Sequence, residues 1–144
     1  MLFHVLVESP KSKEDTFGIY VPAFSRLDYG CYSAADTEAD IVYQSQDAIL
    51  GMAEEILADG HDLDDLKSTS VLNLAMDPEH SGFDQHFVLD VDLSALKGKQ
   101  VRVNISMADT LIARIEKAVQ SGQYKDRSNF LETAARRELS HSNG

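Results

Sequence analysis

Cysteine is almost absent from this chain of 144 residues: Cys31 is the only one. An intramolecular disulfide framework is excluded, and a lone thiol fits a reducing cytoplasm. No apolar run reaches the length of about 20 residues that a membrane span needs, so no membrane partner is expected. Residues 1–8 are apolar but carry no basic leader and turn acidic at Glu8, so they read as a strand and not as a signal peptide. No internal repeat, low-complexity tract, phosphate loop, dinucleotide fingerprint or nucleophile–base pair is visible. Positive charge is also scarce. There are 13 Lys and Arg against 24 Asp and Glu, a formal charge of −11. A uniformly acidic protein binds nucleic acid poorly, because neutralising phosphates takes Lys and Arg.

The charge is not uniform. Residues 1–98 hold 5 basic and 19 acidic side chains, net −14, whereas residues 99–144 hold 8 basic and 5 acidic, net +3. Such a division predicts two modules with different partners, one over residues 1–95 and one over residues 99–144.

In the acidic module, residues 2–8 read as a strand buried on both faces. A polar turn over 9–15 leads to a second strand over 16–21, stopped by Pro22. A short third strand is expected over 30–35. Thr37 then suits a helix N-cap, with Asp40 three positions on. Ile41, Ala48, Ile49, Met52, Ala53 and Ile56 line one face of a long helix that Gly60 stops. A strand is possible over 71–76, and another is expected over 87–93. The fold class is α+β, a small antiparallel sheet with one main helix.

The basic module is more legible. Val101, Val103 and Ile105 alternate with Gln100, Arg102 and Asn104, so a strand would carry the two sets on opposite faces. Ser106 reads as the N-cap of a helix with Leu111, Ile112, Ile115 and Val119 inward, ended by Gly122. Ser128 reads as the N-cap of a second, with Phe130, Leu131, Ala134, Ala135 and Leu139 inward. One strand and two helices in about 45 residues close no core alone, and a single strand leaves two bare edges. Antiparallel pairing with a second copy removes both problems.

A paired strand would set Gln100, Arg102 and Asn104 side by side on a solvent face. Arg forks onto guanine, and Gln and Asn pair with adenine, while a two-stranded ribbon fits the major groove. The start of the second helix, at Ser128 and Asn129, suits a phosphate. A merely solvated strand face is the plainer alternative.

Residues 99–140, with their alternating strand, capped helix, glycine turn and second capped helix, resemble a ribbon-helix-helix DNA-binding domain of the MetJ/Arc class. Residues 17–60 resemble the N-terminal domain of HicB-type antitoxins through Ile19-Tyr20-Val21-Pro22, Gly30-Cys31-Tyr32-Ser33, Asp36-Thr37 and Ala48. The chain departs from that pattern in a longer link between Pro22 and Gly30, and in Ala39-Asp40 where the family has Glu-Ala. The resemblance implies a partial RNase H-like fold and a partner, a HicA-type mRNA interferase toxin, that the antitoxin neutralises. It also implies repression of the antitoxin's own operon through operator DNA, a homodimer through the C-terminal domain, and assembly to a tetramer. A −14 module suits a basic, RNA-binding partner.

Three further readings stay open beside it. Asp28, Asp36, Asp40 and Glu54 are the carboxylates a nuclease would use, but their spacing matches no ligand set. The alternative function is a ribbon-helix-helix regulator whose acidic domain senses a small ligand or metal; His80 and His86 flank an acidic loop with Asp77, Glu79 and Asp84 that could serve it, although an ordinary surface loop is by far the stronger reading. The acidic run over 59–65 reads as a solvated loop, or as a contact for basic toxin side chains. No catalytic residue, metal ligand or cofactor is expected, and Cys31 reads as a small buried apolar residue.

Overall fold

The computed structural model describes residues 1–66 and 80–142. The strand possible over 71–76 lies outside the described residues, as do Asp77 and Glu79 of the acidic loop.

Strand β1 (Leu2–Glu8) holds five consecutive buried residues, Phe3 to Val7, so it needs cover on both faces and neighbours on both edges. It has both neighbours: the sheet runs β3-β2-β1-β4, with every pairing antiparallel. The hairpin to β2 (Phe17–Tyr20) sets Leu6 opposite Tyr20. Strand β3 (Tyr32–Ala35) then pairs with β2, Ile19 against Ser33. Strand β4 (Gln85–Asp90) runs along the far side of β1, with Val5 opposite Phe87. It ends earlier than the alternation over 87–93 suggests. The terminal ammonium of Met1 donates to Asp90 at 2.9 Å and to the Val91 carbonyl at 3.0 Å, and the chain then turns Val91 and Leu93 into the core.

Between β2 and β3 the irregular stretch is a 3-10 turn, Pro22–Leu27. Its Phe24 is fully buried and stacks on Phe3 with centroids 5.7 Å apart. Asp28 closes the turn in the left-handed region at φ 64°. Aspartate tolerates that conformation better than most side chains.

Helix α1 (Ile41–Ala58) starts later than Thr37 suggests. The Thr37 hydroxyl donates to the Asp40 carboxylate at 2.7 Å and caps no backbone N–H. A 3-10 turn, Glu38–Asp40, precedes the helix instead. The inward stripe is Ile41, Ser45, Ile49, Ala53 and Ile56, with Ala48 and Met52 partly covered. Ser45 joins it because its hydroxyl donates back to the Ile41 carbonyl at 2.6 Å, so no polar atom is stranded. Burial of the three isoleucines contributes roughly 5–9 kcal/mol. At the far end, Gly60 (φ 92°) donates to Leu57 and His61 to Ile56, the paired bonds of a Schellman stop.

The single turn α2 (Ser94–Lys97) leads out of this core. Helices α3 (Asp109–Gln120) and α4 (Arg127–Ser142) make up most of the basic C-terminal part of the chain. Between α2 and α3, residues 98–108 have no ladder partner among the described residues. The expected strand over 100–105 is thus unpaired among the described residues of one chain.

Candidate nucleic-acid interface

Both sides of the segment 100–105 are bare. Gln100, Arg102 and Asn104 are exposed, and so are Val101 (76%), Val103 (71%) and Ile105 (60%). Three β-branched side chains in water are unfavourable for a chain that could fold them inward. The helices behind them are also incompletely covered. Only Ile115 is buried in α3, Leu111 is 43% exposed, and Phe130 and Leu131 of α4 are half-buried. Among the described residues, one copy therefore leaves this apolar row and the helices behind it partly uncovered.

The helix starts differ from expectation. Helix α3 begins after Ala108, whose carbonyl accepts from Leu111 and Ile112; Ser106 caps nothing. Helix α4 begins at Arg127, and its cap is Asp126, whose carboxylate accepts the Asn129 N–H at 2.7 Å. Ser128 consequently sits inside the first turn, and the Asn129 backbone N–H is already taken by an anion. Aspartate wins here because its charged oxygen also meets the positive end of the helix dipole. Asn129 accepts the Lys125 N–H through its side chain at 3.3 Å, and Tyr124 packs edge-on against Phe130 at 4.7 Å. Arg127 reaches Glu116 of α3 at 3.3 Å.

A polar cleft of about 520 Å³ lies where α4 meets the end of α1 and the loop behind it. Of the five residues singled out from the sequence, Gln100 and Asn129 line it, whereas Arg102, Asn104 and Ser128 do not. The acidic run over 59–65 forms its opposite wall. Asp62 caps a 3-10 turn, Leu63–Asp65, by accepting the Asp64 N–H at 3.0 Å, and it also takes the Lys125 ammonium at 2.9 Å. Lys97 bridges Asp64 at 3.1 Å and Asp62 at 3.6 Å. The Asp64 N–H and the nearby ammoniums hold the Asp62 carboxyl down at about 2. Arg137 of α4 donates to the Asp59 carbonyl at 3.3 Å, and Thr133 is buried against Gly60, where a Cβ would stand 2.9 Å from its methyl. The run read as a solvated loop, or as a contact for a toxin, here meets the chain's own cations. Its sequence signal was the carboxylate density; the identity of its partners was not encoded locally.

The rest of the acidic module is electrostatically one-sided. From residue 27 to residue 66 there are 11 Asp and Glu and no Lys or Arg. Asp28, Asp36, Asp40 and Glu54 are exposed, and among the described residues no three His, Cys, Asp or Glu side chains gather in a cation-holding group. Cys31 is buried, which pushes its thiol up to about 11. Among the described residues no helix is long and apolar enough to cross a membrane.

The whole outline matches a known family. Residues 3–135 fit the model of the HicB-like antitoxins of bacterial toxin-antitoxin systems. The chain belongs to the HicB-like antitoxin family. An uncharacterised 14.9 kDa protein from the rep-hol intergenic region of Haemophilus phage HP1 (strain HP1c1) is 32% identical over 96% of this chain and 98% of its own length. The crystal structure of the Burkholderia pseudomallei antitoxin HicB is 29% identical and superposes with a TM-score of 0.55 over 96% of this chain and 98% of that one. The crystal structure of that antitoxin's N-terminal domain is 26% identical and covers 65% of this chain and 100% of its own, with a TM-score of 0.52. The α+β fold with its small antiparallel sheet is the fold of these HicB antitoxins.

Proposed function

We propose that this HicB-like antitoxin acts in the cytoplasm on two partners. Residues 1–95 neutralise a HicA-type mRNA interferase toxin, and residues 99–144 form a ribbon-helix-helix dimer that binds operator DNA and represses the antitoxin's own operon. The carrying observation is the bare alternating segment 100–105, with Val101, Val103 and Ile105 uncovered on one side and Gln100, Arg102 and Asn104 on the other. Antiparallel pairing of two such segments covers the apolar set and leaves the polar set as a ribbon of base-reading side chains. Ser128 and Asn129 then flank the DNA backbone from the start of α4, together with Lys125 and Arg127. For the toxin, the support is the stretch of 40 residues without Lys or Arg, which favours a cationic RNA-binding protein and repels nucleic acid. Support for a separate first domain is that the N-terminal domain of the Burkholderia pseudomallei antitoxin HicB, by itself, covers 65% of this chain. Further pairing between acidic modules would make the dimer a tetramer. The protein works by binding, without catalysis, metal or cofactor.

Operator binding by the full chain tests the DNA half. The Arg102→Ala variant should lose about 1–3 kcal/mol of affinity for the promoter region and relax its sequence preference. Unchanged affinity in the Gln100, Arg102, Asn104 triple alanine variant refutes strand reading. Co-expression with the small basic protein of the neighbouring reading frame tests the toxin half, which fails if growth inhibition by that protein is not relieved.

A further inference from the structure

The polar cleft between the two modules contains both halves of a competition. On one wall stand Asp62 and Asp64. On the other stand Lys125, two residues before α4, and Asn129 in its first turn, with Gln100 at the rim. The geometry points to an autoinhibitory latch: the acidic loop 59–65 holds the DNA-facing edge of the same chain's second module, so that operator phosphates and Asp62 compete for Lys125. This rests on the operator reading above.

The contact is built, not incidental. Asp62 is oriented before Lys125 arrives, because one carboxylate oxygen accepts the Asp64 N–H while Asp65 reaches back to the Asp62 N–H at 3.3 Å. Its other oxygen is left to the ammonium. Lys97 clamps the same loop from the linker between the modules, 3.1 Å from Asp64. Two contacts that are not ion pairs fix the approach: Thr133 against Gly60, and Arg137 on the Asp59 carbonyl. Gly60 is required twice over. Its φ of 92° disfavours any Cβ, and a Cβ would strike Thr133. A duplex reaching Gln100 and Asn129 would need the space the loop occupies and would bring its own anions to Lys125. The loop therefore presents carboxylates where phosphates would stand.

Ionic strength does not isolate the latch, since salt weakens phosphate contacts as well. Substitution does. In the full chain, Asp62→Asn should bind promoter DNA about three- to tenfold more tightly than the wild type, the scale expected for a few partly exposed ion pairs. Adding Lys125→Ala should remove that gain. Asp84→Asn, which deletes the same charge beyond the cleft, should leave affinity unchanged. Equal affinity of Asp62→Asn and wild type overturns the latch, and so does an equal gain from Asp84→Asn. If no form binds the promoter, the operator reading fails and the competition with it. The contact then has its own readout: zero-length carbodiimide coupling of Asp62 to Lys125 within one chain, found by mass spectrometry in the wild type and lost in Asp62→Asn. Absence of that cross-link overturns the latch independently of DNA.

Discussion

Val103 stands in the middle of the uncovered apolar row, and truncating it tests the pairing of two copies directly. It is 71% exposed in the single chain, so Val103→Ala costs the lone chain little. In an antiparallel pair both copies of Val103 come under cover. Removing two carbons forfeits about 1.6 kcal/mol for a fully buried position, at roughly 0.8 kcal/mol per carbon. Scaling by the area left to cover gives about 1.1 kcal/mol per copy and about 2.3 kcal/mol for the pair. The dimer constant should weaken about 40-fold. Replacing Val101, Val103 and Ile105 together by alanine removes seven carbons per copy, and at the same rate the loss of about 8 kcal/mol abolishes pairing at micromolar concentration. Sedimentation equilibrium measures both, with circular dichroism confirming that the acidic module stays folded. If the triple variant keeps the wild-type mass, the segment 100–105 is not the pairing strand and the ribbon reading is wrong.

Other substitutions probe the first module. Ile49, fully buried beneath the sheet, should cost about 2–5 kcal/mol when cut to alanine, read as a lower urea midpoint with an unchanged slope. Cys31, with its thiol pushed up to about 11 by burial, should resist a thiol reagent at pH 8 in the native protein and react at once after denaturation. Asp62 has a folded pKa of about 2, below its unfolded value. Its stabilising contribution is therefore complete above about pH 5 and is lost as the pH falls toward 2. The wild type should lose more stability over that range than Asp62→Asn; parallel losses would refute the pairing of Asp62 with its donors.

Some elements were legible because their causes are local. Five successive buried residues in β1 leave no solvent face, so a central strand was readable from 2–8. The 3.6-residue repeat of α1 and the glycine at residue 60 were equally direct. The caps were misread where two local donors or acceptors competed. Thr37 spends its hydroxyl on Asp40, and Asp126 outbids Ser128 through its charge. Ranking such competitors depends on where the preceding chain points, which spacing alone does not encode.

Composition and order determined that the charge divides near residue 98, acidic before it and basic after it, that the acidic part is α+β with one inward helix stripe, and that residues 100–105 alternate. These depend on neighbours a few positions apart, or on sums of charge. Only the tertiary structure decided what the acidic loop touches. Asp62 and Lys125 are 63 residues apart, and their meeting at 2.9 Å follows from how α4 seats on the end of α1. It also decided that, among the described residues, the alternating segment is left bare by its own chain. Whether an apolar row is covered depends on every other surface in the molecule, and no local pattern carries that information.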